Sequence, residues 1–272
     1  MQVAALQMVS SPALQDNLQQ ARQLLQQAAQ AGAELAVLPE YWSGMGLQES
    51  DKLAWAEPFG DGPVQQFLAQ AARELGLTIV GGTLPLQSPQ PGRIHNSSLA
   101  YGPDGRCLAR YDKLHLFCFD NGREHYDEAR TVAAGRQPVQ FNLTARSGQP
   151  WRIGLSVCYD LRFPELYRAH ASAGCQLLLV PSAFTRTTGQ AHWELLLRAR
   201  AVENLAYVLA PAQGGQHVNG RQTWGHSMAV DPWGRVLAQR AEAGPGLVLA
   251  ELDMQQLQQW RQQLPALTHR VL

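Results

Sequence analysis

Apolar positions along this chain fall into short continuous runs separated by longer amphipathic stretches. Residues 3–8 (Val-Ala-Ala-Leu-Gln-Met) form the first run, short and unbroken enough to read as a buried strand. Over 16–31, Leu and Ala recur at helical spacing among glutamines with Asp16 near the start, which predicts an amphipathic helix. The run 35–38 is a second strand, closed by Pro39-Glu40. Helical periodicity returns over 64–75, Gly76 stops it, and 77–83 reads as a third strand. Residues 96–101 and 107–111 flank Gly102-Pro-Asp-Gly105, a hairpin turn.

The order then repeats. The second half predicts strand 151–157, helix 164–173, strand 175–180 ending at Pro181, helix 192–203 and strand 206–210. A second hairpin, 224–230 and 236–239, turns at Asp231-Pro-Trp-Gly234, and a strand at 247–252 and a helix at 254–264 follow. Two similar halves of this kind predict an α/β fold with two sheets face to face and helices outside. No Gly/Ser linker or charge run divides residues 1–272, so they read as one domain. The irregular stretch 117–140 is longer than a plain connection needs, and such loops are commonly functional.

Composition narrows the function classes. Lys+Arg and Asp+Glu both number 22 and the pI is about 7.1, so the chain carries no charge footprint for nucleic acid or an anionic membrane. No apolar run approaches the roughly 20 residues that span a bilayer, and the start lacks the basic region of a signal peptide. Cys107, Cys118, Cys158 and Cys175 form no C-x-x-C pair, so a disulfide framework is not expected and a reducing cytoplasm is. The eight His show no ligand spacing, and no metal site is expected.

Three residues at strand ends could do chemistry. Cys158 follows the run Ile153-Gly-Leu-Ser-Val157 and precedes a turn into a helix. A thiol there points into the crevice of an α/β sheet, where turn N–H groups and the helix terminus can support an oxyanion. Nearby positive charge can also lower its pKa. The alternative is a small core cysteine. Glu40 could take the thiol proton and return it to a leaving amine, or be an ordinary loop acid. Lys113, one of only two lysines with Lys52, could hold a thiolate and an oxyanion, or be a solvated surface lysine. Cys107 and Cys175 lie in apolar runs and read as core, as do His192, Trp193, Trp224 and His226.

Around these residues the chain resembles the nitrilase (carbon–nitrogen hydrolase) superfamily over essentially its full length. The carrying segments are Leu38-Pro-Glu-Tyr41, Tyr111-Asp-Lys-Leu-His-Leu-Phe117 and Gly154-Leu-Ser-Val-Cys-Tyr-Asp-Leu-Arg-Phe-Pro-Glu165. The resemblance implies a four-layer αββα sandwich and a homodimer or larger assembly; no cofactor is expected, because a thiolate, a base and an oxyanion site suffice for acyl transfer. It implies Glu40 as base and acid, Lys113 as oxyanion support, Cys158 as nucleophile, and Glu128 as a second glutamate positioning the lysine. Segments such as Pro181-Ser-Ala-Phe-Thr185, Trp224-Gly-His-Ser-Met228 and Pro211-Ala-Gln-Gly-Gly215 are similar to Nit-type amidases, nearer the deaminated-glutathione amidases than the 2-oxoglutaramate ω-amidases. Asp112 and Cys118-Phe119 depart from the usual pattern beside the lysine. The implied reaction hydrolyses a small acidic α-keto amide to carboxylate and ammonia through a thioester. The alternatives are an ω-amidase acting on 2-oxoglutaramate or succinamate, and a silent nitrilase-fold binding protein. Tyr159 is expected to give an oxyanion N–H, and Phe184 and Thr185 to wall the site. Arg162 either binds a substrate carboxylate or pairs with Glu165 or Glu203.

Overall fold

In the computed structural model, which describes residues 1–271, the repeated order becomes two sheets. The first half contains β1 (Gln2–Gln7), α1 (Leu14–Gln30), β2 (Leu35–Val37), the short α2 (Asp51–Ala54), α3 (Pro63–Leu75) and β3 (Thr78–Val80). The antiparallel strands β4 (Leu84–Gln87), β5 (Ile94–Tyr101) and β6 (Cys107–Asp112) follow. A small hairpin, β7 (Cys118–Asp120) and β8 (His125–Asp127), leads to the second half. There β9 (Val139–Thr144), β10 (Pro150–Leu155), α4 (Pro164–Ser172), β11 (Leu177–Leu179), α5 (Arg186–Asn204) and β12 (Tyr207–Ala210) follow one another. A ribbon of β13 (Gly214–Gln216) and β14 (Gln222–Trp224) precedes β15 (Met228–Val230) and β16 (Val236–Gln239). The strand β17 (Gly246–Glu251) and the helix α6 (Met254–Gln263) come last.

The first sheet runs β17-β1-β2-β3-β5-β4 with β6 on β5, and the second β16-β15-β12-β11-β10-β9. Each is built on three parallel strands, β1-β2-β3 and β10-β11-β12. Each trio is flanked by antiparallel strands, β17 and β5 in one, β9 and β15 in the other. The halves are therefore one arrangement used twice, as the two hairpin turns imply.

Side-chain alternation builds the layers, because successive strand residues point to opposite faces. In β1, Val3 and Ala5 join Trp151, Ile153 and Leu177 of the second sheet in one core cluster. Ala4 and Leu6 join Leu24, Leu25 and Ala28 of α1 and Leu68 of α3 in another. Strands buried on both faces explain why 3–8 reads as a continuous apolar run. The outcome is the αββα sandwich. No helix among the described residues is long and apolar enough to cross a membrane.

Several expectations are corrected. Cys107 is exposed, not core, because β6 pairs only with β5 and its first residues face solvent. His192 is also exposed, on the outer face of α5. That helix starts at Arg186, six residues early, because Thr185 caps it by accepting from Thr188 N–H (3.3 Å). The run 224–230 is broken at His226, whose φ of 53° ends one strand and lets Met228 begin another sheet's. The 117–140 stretch is partly ordered as β7, β8 and a 3-10 turn at Glu128–Arg130.

Candidate active site

Both sheets send parallel-strand ends toward one pocket. Glu40 and Cys158 each come three residues after a parallel strand, β2 and β10. Lys113 comes one residue after β6, at the exit of the first hairpin. The four residues Glu40, Lys113, Glu128 and Cys158 all line this pocket, and each side chain is nearly sealed from solvent.

Cys158 sits at φ 50°, in the left-handed region, where a non-glycine residue stores about 1–3 kcal/mol. Four hydrogen bonds hold the turn. Cys158 N–H donates to the Pro181 carbonyl beyond β11 (3.0 Å), and Val157 N–H donates to Asp160 Oδ2 (2.8 Å). Asp160 is fully buried and also accepts from Tyr111 Oη (2.6 Å) and His115 N–H (3.0 Å). One carboxylate thus ties the cysteine turn to the segment carrying Lys113. Cys158–Arg162 is a 3-10 turn and α4 begins only at Pro164, so no helix terminus stands directly behind the thiol.

Lys113 Nζ donates to Glu40 Oε1 (2.9 Å) and to Glu128 Oε2 (2.8 Å). Asn96 Nδ2 donates to both glutamates (3.0 and 3.2 Å), Tyr41 Oη to Glu128 Oε1 (2.7 Å), and Ala183 N–H to Glu40 Oε2 (3.0 Å). Phe117 N–H also donates to Glu128 Oε2 (2.8 Å). Ala183 follows β11, so the second sheet holds a carboxylate of the first.

This network sets the protonation states. Burial works against the Glu128 carboxylate, but the Lys113 charge, the more distant Lys52 and the hydrogen bonds from Lys113 and Phe117 outweigh it and lower its pKa to about 2. Burial likewise works against the Lys113 ammonium, and Glu128, Glu40 and Cys158 outweigh that, raising it well above its ordinary value. Cys158 goes the other way from the expectation of a lowered pKa. Burial and the neighbouring Glu40 push the thiol well up, and Lys113 opposes them without winning. The physical reason is that two carboxylates already claim the single ammonium. At rest Cys158 is a thiol.

Around this centre, Arg162 Nη1 donates to His192 Nδ1 (3.2 Å) and lies over Phe184, 5.4 Å from the ring centroid. Among the described residues Arg162 has no ion pair. Glu203 pairs with Arg200 instead (2.9 Å), so the expected structural partners are not used. Tyr159, Phe184 and Thr185 line the pocket, Thr185 mainly as the cap of α5. Phe117 meets Tyr159 edge-on (5.3 Å) and leans on Tyr126 (5.5 Å), an aromatic flap from the 117–140 stretch. Sequence reasoning missed Tyr41, Asn96, Asp160 and Arg221. Only Asp160 gave a signal, as an acid two residues after a candidate nucleophile.

Residues 2–262 match the carbon–nitrogen hydrolase family. The chain is 43% identical over 271 residues to a deaminated glutathione amidase from Synechocystis, covering 98% of this chain and 97% of that one. It is 37% identical to the Xenopus laevis omega-amidase NIT2-B, covering 97% and 92%. Its fold is similar to the crystal structure of the C. elegans NitFhit protein, with TM-score 0.89 and 36% identity over 99% of this chain; it spans 65% of that protein. With a buried thiol, two glutamates and a lysine gathered at paired strand ends, the chain belongs to the carbon–nitrogen hydrolase family, as an enzyme of the nitrilase superfamily that cleaves non-peptide C–N bonds.

Proposed function

We propose that this chain is a thiol amidase that hydrolyses a small acidic α-keto amide of the deaminated-glutathione type, working as one catalytic domain. The carrying observation is the Glu40–Lys113–Glu128 network, whose contacts are 2.9 and 2.8 Å, beside the buried Cys158. A thiol held neutral cannot ionise first and wait, because Glu40 and Glu128 already share the Lys113 ammonium beside it. Proton transfer to Glu40 therefore accompanies attack of Cys158 Sγ on the amide carbon. Lys113 Nζ and the Tyr159 N–H hold the oxyanion as the tetrahedral intermediate forms. Glu40 passes its proton to the departing nitrogen and the C–N bond breaks, leaving a thioester. Glu40 then takes a proton from water, which attacks the thioester carbon, and the thiol returns with the carboxylate product. A primary amide releases ammonia, and an amide of a longer amine releases that amine. Glu128 keeps Lys113 charged and fixed. Arg162, free of an ion pair, takes the carboxylate of the acyl group, against Phe184 and Thr185.

The close alternative is free 2-oxoglutaramate or succinamate. A homo-oligomer acting in the cytoplasm belongs to the same reading, through the family resemblance. A panel of 2-oxoglutaryl and succinyl amides, followed by carboxylate release, tests the assignment. Cys158→Ala should abolish turnover and the mass-detectable acyl adduct while leaving the fold intact. More than a few per cent residual activity would sink the nucleophile, and severalfold preference for the free amides would sink the substrate choice.

A further inference from the structure

The catalytic pocket opens into a larger outer cavity that shares Tyr41, Glu49, Tyr126 and Arg221 with it. Arg221 is the one arginine present in both linings. It follows Gly220 in the turn of the β13–β14 ribbon. Its Nη2 donates to the Ala183 carbonyl (2.8 Å), and its guanidinium lies over Tyr126, 5.1 Å from the ring centroid. Its Nε–H is shut off from solvent with no acceptor. Among the described residues no carboxylate forms an ion pair with Arg221. Glu49, the acid nearest in the shared lining, is bonded to Lys52 (2.6 Å). A charged N–H shut off from solvent with no acceptor is costly unless an anion completes it.

Its position identifies which end of a substrate it faces. Ala183, whose carbonyl Arg221 holds, donates its own N–H to Glu40 Oε2. Glu40 is the group that hands a proton to the leaving nitrogen, so the leaving amine lies on Glu40's side. Arg162 lines the inner pocket alone, consistent with the acyl end. The outer cavity also carries Arg123 and Arg186 against Glu49 and Glu124, and Glu124 accepts from Thr187 (2.8 Å).

We infer that Arg221 is a leaving-group subsite that binds a carboxylate on the departing amine, which rests on the amidase reading above. The deaminated-glutathione type of substrate proposed above carries such a group, the free carboxyl terminus of its departing dipeptide. Its far end lies in the outer cavity, which Tyr126 also lines. A primary amide leaves this subsite empty.

The test compares 2-oxoglutaryl-cysteinylglycine with the same compound capped as a terminal carboxamide. Wild type should prefer the free carboxylate, and Arg221→Gln should cut the ratio of the two kcat/KM values by about 30-fold or more, with partial recovery in Arg221→Lys. The ratio is the readout because loss of the Ala183 contact lowers both values alike. No preference in wild type, or an unchanged ratio in Arg221→Gln, overturns the subsite. If none of these amides is turned over, the substrate reading fails, and calorimetry on the Cys158→Ala protein still decides the subsite. Free glycylglycine should then bind, and lose binding when Arg221→Gln is added. No binding, or equal binding by both proteins, overturns it.

Discussion

At the scale of single residues, the site works by neutralising charge inside a nearly dry pocket. Lys113 is held by two carboxylates, so removing it strands both of them. Lys113→Met should cost about 3–5 kcal/mol, the usual loss when one partner of a buried pair is deleted, read as a drop in denaturant midpoint together with loss of turnover. The Glu128 pKa is lowered in the folded chain from 4.5 to about 2. Its contribution to stability is therefore full above pH 4.5 and is lost as pH falls toward 2. Acid titration of the unfolding free energy should show a slope in that window, and the slope should shrink in Glu128→Gln. Glu40→Gln removes the group proposed as the base for the neutral Cys158 thiol. A fall in kcat of about 10²–10⁴ is expected; a loss of less than tenfold in a steady-state assay would contradict the base role. Cys158 and Glu40 were legible because each ends an apolar run at a strand's carboxyl end. Asn96 was not, since it lies inside β5 and only the pairing of that strand turns its amide toward the two glutamates. Glu128 was readable only by resemblance, because its contact with Lys113 depends on how residues 117–128 turn back.

At the scale of elements, backbone geometry behind Glu40 is as demanding as the side chains. Gly82 has φ 42°, and a Cβ there would sit 1.9 Å from the Pro39 carbonyl oxygen. Both are backbone positions, so nothing flexible can yield. Gly82→Ala should push the Pro39–Glu40 corner out of place and lower both melting temperature and kcat, whereas Gly76→Ala, with open space around its Cβ, should affect only the end of α3. Equal activity in the Gly82→Ala protein would show that the corner tolerates displacement. Asp160 has the same standing on the other sheet. The elements themselves were mostly legible: the parallel strands and α1, α3, α4 and α6 follow from apolar run length and helical period. The misreadings share one cause. Short runs such as 107–111 and 224–230 carry the same residue types whether they face a core, an edge or a second small sheet, and only tertiary pairing decides.

At the scale of the whole molecule, the first sheet is closed by the last strand. β17 pairs with β1 along six residue pairs, from Gln2↔Glu251 to Gln7↔Gly246, and the Met1 amino group donates to the Leu252 carbonyl (2.8 Å). Shortening the chain to residue 245 should remove an entire flank of the sheet that carries Glu40 and Lys113, and yield protein that elutes as aggregate in size-exclusion chromatography. A monodisperse, active truncated chain would show that the flank is dispensable. The same closure has a consequence for how the protein is made. Synthesis delivers β1 long before β17, so the outer backbone edge of β1 stays unpaired while β2 and β3 can already dock beside it. Through that interval the nascent chain presents an open strand, and the partner that finally covers it emerges only after every element from α1 to β16.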